Sequence, residues 1–81
     1  MGQSLRWLVL DPGQSVPPIL QSAPGLRVIL SGDQITETIE GAPDRDIRVK
    51  PGSFEWQPAG RTRGLRNSGT SPVELAEWEL K

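Results

Sequence analysis

Neither cysteine nor histidine occurs among the 81 residues of this chain. The lack of cysteine excludes a disulfide framework, a thiolate nucleophile and a zinc–thiolate site. With histidine also missing, acid–base work near neutral pH would fall to a carboxylate of raised pKa. No charge of one sign dominates: nine Lys and Arg stand against ten Asp and Glu, a net charge of −1. No overall basic field therefore draws the chain to nucleic acid or to a membrane surface. No apolar run approaches the ~18 residues of a membrane span. The opening MGQSLRWLVLDPG is no secretory signal, because its apolar run Leu5–Leu10 is short and broken by Arg6. Arg6 also stands where the myristoylation pattern needs Ser or Thr. The expectation is a cytoplasmic protein with neither nucleic acid nor membrane as partner.

What the chain does hold is punctuation. Eight prolines and nine glycines cut it at DPG, PP, PG, SGD, EGAPD, PG, PAG and NSGTSP, all turn signals. The pieces between them are too short for a substantial helix and have strand character. LRWLVL sets Leu5, Trp7 and Val9 against Arg6, Leu8 and Leu10, so both faces are partly apolar. QITETIE puts Ile35 and Ile39 in phase, DIRVK alternates strictly, and SFEWQ places Phe54 and Trp56 on one face. PVELAEWEL switches phase after Leu75, which implies a bulge or a strand apolar on both sides. About eight short strands between turns make a single all-β domain spanning 1–81, a sandwich or barrel. A domain this small buries only about 60% of its unfolded surface and gains from a partner subunit.

The spacing of Gly52, Pro58, Gly60, Arg63 and Asn67 resembles the second motif of the cupins, G-x5-P-x-G-x2-H-x3-N, at every fixed position except the histidine. The first cupin motif, G-x5-H-x-H-x3-E-x6-G, has its ends at Gly13 and Gly32. The resemblance covers residues 13–67 and implies a cupin-type jelly-roll β-barrel of two antiparallel sheets, RmlC-like in architecture. It also implies a homodimer, since cupins commonly dimerise through sheet edges and N-terminal strands, with LRWLVL the candidate edge. The glycines, the proline and Asn67 are explained by turn geometry alone, and so they argue for the fold and not for an activity.

In metal-binding cupins three histidines and a glutamate hold a divalent metal. Here the matching positions are Ile19, Gln21, Arg63 and, at the glutamate position, Gly25. An aliphatic chain and a bare glycine offer no donor, Gln21 is at best a weak neutral ligand, and a guanidinium repels a cation. A metal-free barrel without cofactor is the expectation. If Arg63 points inward as the histidine would, strand alternation turns Leu65, Arg27 and Ile29 inward too. Arg63 then pairs with an inward carboxylate such as Glu77, Glu55 or Glu37, or it holds a small carboxylate or phosphate with Arg27 and Gln21, or it reaches solvent.

The tryptophans Trp7, Trp56 and Trp78 read as core or dimer-interface packing ahead of a stacking wall for a ligand. The cluster Arg61, Arg63, Arg66 reads as a charged, solvated strand ahead of a nucleic-acid patch. No Ser–His, Cys–His or paired-carboxylate constellation and no phosphate loop can be identified, so no catalytic residue is assigned. The candidate ligand-binding residues are Arg63, Gln21, Arg27, Ile19 and Trp56. The expected function is binding of a small anion or a structural or regulatory role. The alternative is a metal-independent isomerase or lyase acting on a small carboxylate or sugar derivative.

Overall fold

The computed structural model describes residues 3–80; Met1, Gly2 and Lys81 lie outside them, and with them part of the N-terminal signal reading. Eight strands and no helix are found among the described residues: β1 (Gln3–Leu10), β2 (Ser15–Gln21), β3 (Gly25–Ser31), β4 (Gln34–Ile39), β5 (Arg45–Arg48), β6 (Phe54–Gln57), β7 (Arg61–Asn67) and β8 (Val73–Leu80). They form two four-stranded sheets, ordered β1-β8-β3-β6 and β2-β7-β4-β5. Every pairing is antiparallel. The architecture is the expected all-β jelly roll. No described helix is long and apolar enough to cross a membrane.

Inward-facing side chains form two layers. Leu10, Ile29, Ile35, Leu65, Val73 and Leu75 make the apolar layer, with Leu8, Val16, Ile47 and Val49 packed against it. Burial of each large side chain contributes roughly 1.5–3 kcal/mol. One inward step along β3 and β8 leads from the Ile29–Leu75 pair to Arg27–Glu77, so a charged layer lies directly beyond the apolar one.

The phase switch in β8 is resolved in favour of a strand apolar on both faces. Val73, Leu75 and Glu77 point inward, whereas Ala76 and Trp78 point outward, opposite Trp7 and Leu5 of β1. The irregularity lies in the partner strand: the β3–β8 register slips between Ile29 and Ser31, at Leu30. A second slip, between Val16 and Ile19 of β2, falls at Pro17–Pro18. Proline cannot donate to a ladder, and β2 is an edge strand, where that loss is tolerated. β5 stops at Arg48, two residues short of the end of DIRVK, although the Val49 amide still donates to the Asp33 carbonyl at 3.0 Å, one step further along the β4–β5 register.

The motif residues act as corners. Gly52 (φ 85°) and Gly60 (φ 89°) hold left-handed conformations that favour glycine. Asn67, 1% exposed, donates from Nδ2 to the carbonyls of Leu10 and Ser71 at 2.8 Å and accepts from the Gly69 amide at 3.0 Å. It thus braces its own turn, as expected of it, and also ties the end of β1 to the β7–β8 connection.

Candidate functional site

A cavity of about 350 Å³ opens in the barrel next to the charged layer, and Ile19, Gln21, Arg27 and Arg63 all line it. Pairing of β2 with β7 sets Ile19 directly opposite Arg63. Arg27 comes from the other sheet, in the inward row Gly25, Arg27, Ile29, all buried. The structure therefore assembles four of the five candidate ligand-binding residues. Trp56 is not among them. Its neighbours Glu55 and Gln57 face Arg27 and Gly25, so alternation forces Trp56 to the outside, where it is 54% exposed.

Glu37 is the centre of the charged layer. It lies in β4 between the in-phase Ile35 and Ile39 and is fully buried. Three guanidiniums converge on it: Arg27 Nη1 at 3.2 Å from Oε2, Arg45 Nη2 at 3.2 Å from Oε1, and Arg63 Nη1 at 3.4 Å from Oε2. Arg27, only 4% exposed, is otherwise fully engaged. Its Nε donates to Glu77 Oε2 at 3.0 Å, and Glu55 lies 3.8 Å from Nη1. In the Gln57 amide orientation that satisfies both ends, the amide oxygen accepts from Arg27 Nη2 at 2.8 Å. Glu77 also accepts from Arg6.

Arg63 is the poorly neutralised member. It is 13% exposed, its one carboxylate partner is shared with two other arginines, and its buried Nε has no hydrogen-bond partner among the described residues. On the cavity wall Arg6, Arg27 and Arg63 face Glu77 and Glu79, three positive charges to two negative. Glu79 accepts from Ser22 at 3.3 Å. Burial works to raise the pKa of Glu77, but the charge of Arg27 and the hydrogen bond and charge of Arg6 outweigh it, and the carboxyl titrates below the usual glutamate value.

Sequence reasoning named Glu37, Glu55 and Glu77 as possible partners of Arg63, and the structure selects Glu37. Arg45 and Gln57 were missed. Arg45 reaches Glu37 only because β5 pairs with β4 in a register that sets the two residues opposite each other, and strand order cannot be read from spacing. Arg61 and Arg66 are exposed while Arg63 turns inward, so the three do not form one basic patch.

The residues at the four metal-ligand positions do not fit a divalent cation. Gln21 uses Nε2 as a donor to the carbonyls of Ala23 (2.9 Å) and Gln57 (3.1 Å), Ile19 is aliphatic, and Arg63 is cationic. At Gly25 any Cβ would collide with the carbonyl oxygen of Trp78, so β8 runs too close for a glutamate there. No cluster of three or more carboxylate, imidazole or thiol groups suited to a metal occurs among the described residues.

No protein-family model matches the sequence, and no curated protein matches it. Solved structures do match. A cupin domain from Bordetella pertussis superposes with a TM-score of 0.87 at 14% identity, over 98% of this chain and 81% of that one. An RmlC-like cupin family protein with a double-stranded β-helix fold, from Methanocaldococcus jannaschii, gives 0.80 at 16%, over 95% and 68%. A DMSP lyase from Ruegeria pomeroyi gives 0.70 at 22%, over 98% of this chain but 39% of the lyase. The fold is therefore the cupin double-stranded β-helix. Identities this low carry the fold alone and leave the activities of those proteins with them.

Proposed function

We propose that the chain is a small-molecule-binding cupin-type barrel of the cytoplasm that works without a metal and holds a small carboxylate at Arg63. The observation that supports this most is the buried, unpartnered Nε of Arg63 beside a cavity of about 350 Å³. Guanidinium pairs with carboxylate in a bidentate fork, so a ligand carboxylate at Nε and a terminal nitrogen supplies both the missing acceptor and the missing charge. Ile19, Leu20 and Leu65 line the same cavity and would take a short apolar remainder of the ligand. Binding is preferred to chemistry because Glu77, a carboxyl on the cavity wall, is held below the usual range, and such a group is a poor proton carrier near neutral pH.

A thermal-shift series with acetate, malonate, succinate and phosphate tests the reading. At a hundredfold excess over Kd a ligand adds about 2.7 kcal/mol, a shift of roughly 10–20 °C for a domain of this size. The shift should be carboxylate-dependent and fall to about half or less in Arg63→Ala. A second reading, in which the ion network only fills the barrel, is favoured by the full engagement of Arg27. It is the one to adopt if no anion stabilises the protein.

A further inference from the structure

Gln21 reaches the cavity wall with half of its amide already engaged. It follows Ile19 by two residues on β2, so strand alternation sets both on one face, and Ile19 lies directly opposite Arg63 of β7. Nε2 of Gln21 donates to the Ala23 carbonyl at 2.9 Å and to the Gln57 carbonyl at 3.1 Å, which uses both amide hydrogens. Two backbone acceptors around one nitrogen also fix which end of the amide is which. Gly25 leaves room for this seat, since a Cβ there would come within 3.3 Å of Gln21 Nε2. What the amide has left is Oε1, an acceptor with no hydrogen-bond partner among the described residues.

An unmatched donor and an unmatched acceptor therefore stand on neighbouring strands. Arg63 Nε of β7 lacks an acceptor, Gln21 Oε1 of β2 lacks a donor, and both residues line the same cavity. A carboxylate answers the first and does nothing for the second, because an ionised carboxylate only accepts. We propose that the ligand of this site is a small 2- or 3-hydroxycarboxylate, with its carboxylate on Arg63 and its hydroxyl donating to Gln21 Oε1. The inference rests on the carboxylate reading of Arg63 and adds the second group that the ligand must carry.

Spacing and charge narrow the class. A strand rise of ~3.3 Å per residue sets Gln21 about 7 Å along β2 from the position opposite Arg63. A hydroxyl one or two carbons beyond the carboxylate crosses that gap with a hydrogen bond of ~2.8 Å at each end. An amino acid is a worse match. Its ammonium would enter a wall on which Arg6, Arg27 and Arg63 outnumber Glu77 and Glu79, and both oxygens of Glu77 are already held, by Arg6 and Arg27. A hydroxyl donates a proton without adding a positive charge. An unsubstituted acid leaves Oε1 to water alone, although Ile19 and Leu20 would pack against its carbon chain equally well.

The test is an NMR chemical-shift titration of the full chain with matched acids, lactate against propionate and 3-hydroxybutyrate against butyrate. The hydroxy acid of at least one pair should bind roughly 3- to 10-fold tighter, the worth of one neutral hydrogen bond. The corresponding methoxy acid, which keeps the oxygen and lacks the proton, should bind no better than the plain acid. In Gln21→Met, which removes the acceptor, the ratio within each pair should fall to about one. Loss of the Ala23 and Gln57 ties weakens both members of a pair alike and leaves that ratio readable. Should the variant fail to fold, the methoxy acids carry the test on the natural sequence. Equal binding within both pairs would overturn the proposal, and the carboxylate reading would survive it if both acids still weaken in Arg63→Ala. A preference that persists in Gln21→Met would overturn it too, because the hydroxyl is then held elsewhere. Binding of no acid at all would remove the proposal together with the reading it rests on.

Discussion

Glu37 and Arg63 occupy adjacent strands of one sheet, and their relation explains why the barrel carries charge at all. A buried carboxylate is tolerated only when paired and hydrogen-bonded, and Glu37 has three guanidiniums around it. Replacing it by glutamine keeps the shape and removes the charge that holds Arg27, Arg45 and Arg63 together. Glu37→Gln should cost about 3–5 kcal/mol, seen as a large fall in the urea midpoint or as failure to fold. Glu77 gives a pH signature at the same scale. Its folded pKa lies below its unfolded value, so its contribution to stability is present above roughly pH 4.3 and is lost as pH falls through the folded value. Urea midpoints measured against pH should show an acid limb in the wild type that is shallower in Glu77→Gln, which has no such proton to take up.

Among the strands, the parts legible beforehand are those fixed by local chemistry. The turns at Gly52, Gly60 and Asn67 follow from φ preferences and short-range hydrogen bonds, so the motif spacing locates them without the structure. Inward placement of Arg27 and Arg63 follows from period-2 alternation once one residue of each strand is oriented. What alternation cannot supply is which strands are neighbours: Arg45 against Glu37 and Glu55 against Arg27 depend on sheet order. The same gap misplaced Trp56, whose phase with Phe54 was read correctly but whose face was not. Two glycines separate local from long-range causes. Gly52 has open space around a hypothetical Cβ and a left-handed φ, so Gly52→Ala should cost only about 1 kcal/mol. Gly25 has ordinary φ but the Trp78 carbonyl against it, so Gly25→Ala should cost several times as much in thermal or urea unfolding. Asn67→Ala, which strands the Leu10 and Ser71 carbonyls, should cost about 2–3 kcal/mol.

For the whole molecule, an inner charged layer and an outer apolar face invert the usual arrangement on one side of the barrel. A chain of 81 residues is short of buried apolar area by itself, and the β1-β8-β3-β6 face leaves Leu5, Trp7, Val9, Phe54 and Trp56 exposed. Phe54 is exposed on that face, so Phe54→Ser should leave the stability of the protomer within about 0.5 kcal/mol of the wild type in urea unfolding.

The cupin frame is retained at Gly52, Pro58, Gly60 and Asn67, and the position expected to bind a cation carries Arg63. Calorimetric titration of the chain and of Arg63→Ala with malonate tests most directly whether the frame serves an anion. The account predicts saturable one-to-one binding per protomer that weakens roughly 10- to 100-fold in the variant, the loss of one charged hydrogen-bonding group. Malonate binding of equal strength in both proteins, or stoichiometric tight binding of Mn²⁺ or Ni²⁺ in its place, would contradict it.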